Sequence, residues 1–412
     1  MKRILILMII LITFAFANEH ENLQKDIKFL SSEVCFGRSI SRDGIFHAED
    51  YIVNELIEAG IDVQLQPVNY RLNLVLTTPL CVINGDTLRP GYDFIPHPFS
   101  SSVEEEFNLN EIELLDRNRL EEIKDSLDLY SVSSTRRYLL KKSKKKDRKT
   151  LLLFAEDDPI VSKQSKQYAR PAFQVKEDIL PDTIYSVFVS NDVIYKKVKT
   201  NNVIAVIEGI TMPDSVICIS AHYDHMGGLG DVYYPGANDN ASGVAVLLAL
   251  ARYYAETPPP MTLVFCFFTG EEQGLKGSWK YTRHPILPLK NVMMALNLDM
   301  VGSGLGGYGL VGGNDWPADV SIFEEIREAY EMGQLKLRPN VPNSDHFPFT
   351  VKGVKAIFLY ASGGEQPYHH PDDIPETLDW ETMENTVLLI KEYIFIKANG
   401  KSTKAKDVSG DL

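Results

Sequence analysis

Residues 265–274 read FCFFTGEEQG: an apolar run stops at Thr269-Gly270 and two carboxylates, Glu271 and Glu272, follow at once. The pattern recurs. ICISAHYDHMG passes from apolar residues into His222 and Asp224, and ALNLDMVG ends at Asp299. Asp239 in PGANDNASG and His369 in YHHPDD lie in loop-like sequence. His222, Asp239, Glu272, Asp299 and His369 are separated by 17, 33, 27 and 70 positions, so no local motif joins them and only the fold can. In an open α/β sheet, ligands sit outside the carboxyl ends of the strands, which gives these strand tips a common meeting place.

Three carboxylates and two imidazoles are too much negative charge to bury without cations. Two divalent ions bring four positive charges to the three carboxylates. Nitrogen and oxygen donors without thiolate suit zinc, with manganese or cobalt as substitutes. If Asp239 bridges two ions, each keeps one further carboxylate and one histidine, and positions stay open for water and substrate. Asp224, two residues past His222, is placed to take the imidazole N–H and hold its tautomer. Of the glutamate pair, one holds metal, Glu272, and the other, Glu271, moves a proton from water to a leaving amine.

These residues need rigid elements behind them. NVIAVIEG, SVICISAH, MTLVFCFFTG, VMMALNLDMVG and VKAIFLYASG are apolar strands, alternating with helical stretches such as NDNASGVAVLLALARYYAE and ETLDWETMENTVLLIKEYIFIK. Strands this apolar are covered on both faces, which predicts an α/β fold with a mainly parallel central sheet flanked by helices. GIFHAEDYIVNELIEAG predicts a helix with Ile45, Ala48, Ile52, Leu56 and Ile57 on one face, stopping at Gly60. From Leu72 to Lys199 prolines and short β-like runs take over, which predicts a β-rich insertion.

The chain has 412 residues and a formal net charge of −14, a sign that argues against a nucleic-acid partner. The lysine-rich stretch RRYLLKKSKKKDRK, 136–149, has no interleaved aromatic platform and reads as a solvated face. Residues 1–17 combine Lys2 and Arg3, an apolar run and Ala15-Phe16-Ala17, a leader that predicts export to the periplasm or medium with no membrane anchor left after cleavage. The four cysteines show no CxxC spacing; Cys218 and Cys266 read as buried hydrophobes, and Cys35 with Cys81 is a pairing the sequence leaves open. GSGLGG, 302–307, satisfies GxGxxG but precedes YGLVGG rather than a helix, so it is no dinucleotide site. HExxH, GxSxG and P-loop motifs are absent. His225 and His346 read as residues behind the ligands or structural ones, and Asp345 as shaping the site.

AHYDHMG, GANDNASG, TGEEQGLKGS, NLDMVG, SDHFPF and YHHPDD stand in the order found in the M28 metallopeptidases, and the chain resembles their co-catalytic zinc aminopeptidases over about 22–70 and 200–397. The resemblance implies a zinc exopeptidase-like, phosphorylase/hydrolase-like catalytic domain at 18–71 and 200–398. It further implies a protease-associated-like insertion at 72–199; the polar end of the chain, 399–412, reads by its composition as a flexible tail. It implies one zinc ion on His222, Asp239 and Asp299, a second on Asp239, Glu272 and His369, Glu271 as general base to a bridging hydroxide, and Asp224 behind His222. The family commonly has a small hydroxyl residue after the last histidine. Here it is His370, and the register with Tyr368 and Pro371 points to His369 as the ligand. The activity implied is hydrolysis of N-terminal residues from peptides with a free N-terminus. Alternatives are a glutaminyl cyclase-like single-zinc acyltransferase, a carboxypeptidase or dipeptidase of the same clan, and an inactive peptide-binding module.

Overall fold

The computed structural model describes residues 19–115, 129–131, 138–140, 151–162, 171–364 and 367–399. The expected leader, nearly all of the lysine-rich stretch and the tail from residue 400 lie outside the described residues. No described helix is long and apolar enough to cross a membrane.

The main sheet has eight strands: β1 (Val63–Val75), β2 (Val193–Ile207), β3 (Met212–His222), β4 (Met261–Phe268), β5 (Val292–Leu298), β6 (Gly307–Val311), β7 (Gln334–Arg338) and β8 (Ala356–Ala361), in the spatial order β1-β2-β4-β3-β5-β8-β6-β7. The centre, β4-β3-β5-β8, is parallel. Antiparallel pairs flank it at β1–β2, β2–β4 and β8–β6. All eight residues of β4 are buried. Side chains alternate across the sheet, so Ile217, Ile219 and Ala221 enter the larger core while Val216 and Cys218 enter the smaller one. Helices at 19–30, Gly44–Glu58, Gly243–Glu256, Pro317–Ala329 and Trp380–Asn399 cover the larger face. The opposite face meets Tyr281 and Phe349, from helices Lys276–Arg283 and His346–Val351. The architecture is α/β with a mainly parallel, helix-flanked sheet.

Two expectations change in detail. In the helix Gly44–Glu58, Ile45, Ala48, Ile52 and Leu56 are buried, but Ile57 is 59% exposed. One residue turns a helix by about 100°, and that step carries Ile57 off the buried stripe. The main sheet also extends past Leu72, where the insertion was expected to begin: the strand from Val63 runs on to Val75, held by β2 in continuous antiparallel register from Val63↔Ala205 to Val75↔Val193.

Between Val75 and Val193 the chain builds two further four-stranded sheets. One contains Phe94–Pro96, Ala172–Lys176, Leu151–Glu156 and Ile112–Leu115; the other contains Asp86–Thr87, Leu80–Ile83, Ser186–Asn191 and Val103–Asn108. Phe94, Phe107, Leu151, Leu153, Phe173, Val175, Val187 and Val189 form a core of their own. All four cysteines are buried and free, so Cys35 and Cys81 are not paired.

Candidate active site

His222 is the last residue of β3, and Asp299 follows directly on β5. Glu271 and Glu272 come two and three residues after Thr269, in the turn that leaves β4 through Gly270 at φ +68°. A side chain at Gly270 would meet Tyr70 and Lys276 at 3.1 Å, so a left-handed glycine makes the bend. Asp239 precedes the helix Gly243–Glu256, and His369 lies in the loop after β8. The structure brings all five together. His222 Nε2 is 3.4 Å from Asp239 Oδ1 and 3.3 Å from Asp299 Oδ1. His369 Nε2 is 3.1 Å from Asp239 Oδ2 and 3.2 Å from Glu272 Oε1. Asp239 thus turns one oxygen to each histidine and divides the cluster into two groups.

The tautomers decide whether cations fit. His222 Nδ1 lies 3.1 Å from the backbone oxygen of Asp224, and His369 Nδ1 lies 2.8 Å from that of Val161. A carbonyl oxygen only accepts, so each Nδ1 carries the hydrogen and each neutral ring turns its Nε2 lone pair toward carboxylate oxygens. Lone pairs facing lone pairs repel unless a cation or a proton lies between. His369 Nε2 has no hydrogen-bond partner although it is buried. The residues present therefore fit divalent cations: nitrogen and oxygen donors whose other atoms are engaged elsewhere.

Without cations, protons take that place. Burial pulls the imidazoles down, but Asp299 and Glu271 lift His222 well above the usual histidine range, and Glu272 with Asp239 pushes His369 up to about 10. Burial would raise Glu272, yet His369 and His225 bring it down to about 2. Glu271 is raised by burial and by the charges of Glu272, Asp345 and Asp299, against the pull of His222. Burial pushes Asp345 up to about 7.

One expected role is different. The Asp224 carboxylate accepts the backbone N–H of Glu271 at 3.1 Å and of Glu272 at 3.4 Å, and stands 3.9 Å from His222 Nδ1. The imidazole proton goes to the Asp224 main chain instead, because the carboxylate is turned onto the glutamate turn. His225, expected behind the ligands, lies inside the second group, its Nδ1 3.2 Å from Glu272 Oε1. Burial lowers it to about 4, so it stays a neutral donor. His370 points away, with its Nδ1 accepting the Asp372 N–H at 3.2 Å.

Several supports had no role assigned from the sequence, although Ser344 and Asp373 stand in SDHFPF and YHHPDD. The Ser344 hydroxyl donates to Asp299 Oδ2 at 2.6 Å and accepts from Asn297 Nδ2 at 2.7 Å; Ser220 donates in turn to Asn297 at 2.8 Å. Arg38 is completely buried and donates to the carbonyls of Leu30, Tyr223, Pro235, Gly236 and Asp239, tying His222's strand end to Asp239's loop. Asp373 accepts the backbone N–H of Asn238 at 2.8 Å and of Asp239 at 3.0 Å. Each makes contacts of very large sequence separation, and local pattern carries no trace of them.

Residues 202–394 match the model of peptidase family M28. Aminopeptidase YwaD from Bacillus subtilis is 30% identical over 215 residues, covering 50% of this chain and 46% of that protein. A probable zinc metalloprotease from Pyricularia oryzae is 43% identical over 117 residues, covering 27% of this chain and 23% of its own length. The chain thus spans less than half the length of either relative. The solved structure of BSAP, a zinc aminopeptidase from Bacillus subtilis, superposes with a TM-score of 0.66 over 92% of this chain and 94% of that one, at 17% identity, so what is shared with it is the fold. The segment that matches peptidase family M28, residues 202–394, contains every one of the converging acids and histidines.

Proposed function

We propose that the chain is an exported aminopeptidase that hydrolyses N-terminal residues from peptides, with zinc ions in both ligand groups. The observation that carries this reading is the pair of Nε2 atoms turned, through opposite oxygens of Asp239, onto acidic groups, with Glu271 on the same turn as Glu272. His222, Asp239 and Asp299 would hold one ion, and Asp239, Glu272 and His369 the other, with His225 at its edge. Bound there, zinc would supply Lewis acidity to the scissile carbonyl and acidify the attacking water.

The remaining work belongs to the chain. Glu271 accepts a proton from water as its oxygen attacks the carbonyl carbon. It then delivers that proton to the departing nitrogen as the C–N bond breaks. In the metal-free fold, burial and neighbouring carboxylates raise its proton affinity; bound cations would oppose this and leave the carboxylate free to take the proton. Asp224 keeps Glu271 in place through the backbone N–H groups of the turn.

The test is a mass-spectrometric digest of mixed peptides by the purified protein. The mixture holds free N-termini, acetylated twins and an N-terminal glutamine, each with and without a chelator. Chelator-sensitive trimming of free N-termini only is expected. Glu271→Gln should keep its zinc and lose about 100- to 10,000-fold in turnover. Cyclised glutamine without trimming would move the protein to the cyclases, and untouched peptides would make it a binding module.

A further inference from the structure

We infer that the inserted β-rich segment clamps the second ligand group, with Tyr92 and the Val161 main chain acting as positioning residues for His369; this rests on the two-ion reading above. His369 sits on no regular element. It adopts φ +52°, a left-handed conformation that a non-glycine residue keeps only where its surroundings hold it. One side of its loop is held from within the catalytic part, where Asp373 binds the Asp239 loop. The other side is held by the insertion.

Three residues make that hold. Val161 supplies the carbonyl that accepts from His369 Nδ1, which settles both the tautomer and the direction of the ring. Tyr92 packs edge-on against His370, with ring centroids 5.3 Å apart, and its hydroxyl lies 3.3 Å from Asp372 Oδ1. Gly91 is so close to the loop that a Cβ there would stand 3.2 Å from Pro371 Cγ. Val161 is seated in turn: with Ile95 of the insertion it packs against Met226, Leu229 and Tyr234 of the catalytic part. The insertion therefore touches the His369 loop and the loop after His225 together. The hydrogen-bond partner of His222 Nδ1, by contrast, is the Asp224 main chain, two residues away. Loosening the insertion should weaken one ligand group and spare the other.

The experiment strips the full-length exported protein of metal, titrates it with Zn2+ against a competing chromophoric chelator, and counts ions by elemental analysis. Wild type is expected to take up two. Tyr92→Ala and Val161→Gly should bind the first ion as wild type does and the second about 10- to 100-fold more weakly. Tyr92→Phe keeps the ring against His370 and should stay close to wild type. Unchanged affinity for both ions in Tyr92→Ala and Val161→Gly overturns the clamp and leaves the two-ion reading standing. Equal weakening of both ions also overturns it, as does a weakened second ion accompanied by a lowered melting temperature of the metal-free variants. A wild type that binds fewer than two ions overturns the two-ion reading itself and the clamp with it.

Discussion

The two ligand groups share Asp239 and differ in what stands behind them. In the first, His222 ends a strand and Asp299 follows one, both in the parallel centre of the sheet. Their outer atoms are engaged from within the catalytic part: His222 by the Asp224 carbonyl and Asp299 by Ser344, itself backed by Asn297 and Ser220. In the second, Glu272 lies in a turn and His369 in a loop, and the outer partner of His369 comes from Val161, 208 residues away in sequence. A site built on strand ends inherits the stiffness of the sheet. A site built on loops needs partners brought from elsewhere, and here the insertion brings one.

The difference can be broken at several points. Asp239→Ala should have the largest effect, because this residue faces both histidines. Zinc measured by elemental analysis is expected to fall toward zero, together with peptide trimming; retention of one tightly bound ion would show that the groups do not depend on a shared ligand. Ser344→Ala should act on the first group only, weakening that ion about 10- to 100-fold in a chelator competition. It is the mirror image of the insertion variants, and equal loss from both groups would erase the contrast.

A pH series gives the smallest effect. The ordinary histidine value is about 6.5, and the metal-free fold lifts His369 to about 10. A raised folded value means that the protonated ring stabilises the metal-free fold fully below about pH 6.5, and that this contribution is lost as pH rises through about 10. Metal-free protein should therefore melt a few degrees lower at pH 9.5 than at pH 7. The zinc-loaded protein should change less, since a cation has replaced the proton. Scanning calorimetry of both forms checks this, and parallel behaviour would sink it.

Much of the sheet was legible from local pattern. The runs ending at His222, Phe268 and Leu298 are β3, β4 and β5, because buried parallel strands need unbroken apolar sequence and that requirement is local. β6 and β7 were harder. Gly307–Val311 carries two glycines, and Gln334–Arg338 is largely exposed at the sheet edge, so neither shows an apolar run. The helix His346–Val351 contains Pro348 and is only six residues long, which hid it inside SDHFPF.

The acids and histidines that gather at the strand ends could be named from sequence, since their chemistry is in their identity and their placement follows from where strands stop. What each side chain touches was decided by tertiary structure alone. The Asp224 carboxylate turned to the glutamate turn, His225 moved inside a ligand group, and Arg38 joined carbonyls of three separate stretches. The outer partner of His369 came from the insertion. Periodicity and composition report on neighbours a few residues away. A hydrogen bond forms only when two atoms come within about 3 Å in the right direction, and for partners hundreds of residues apart the packing of the whole chain sets that distance.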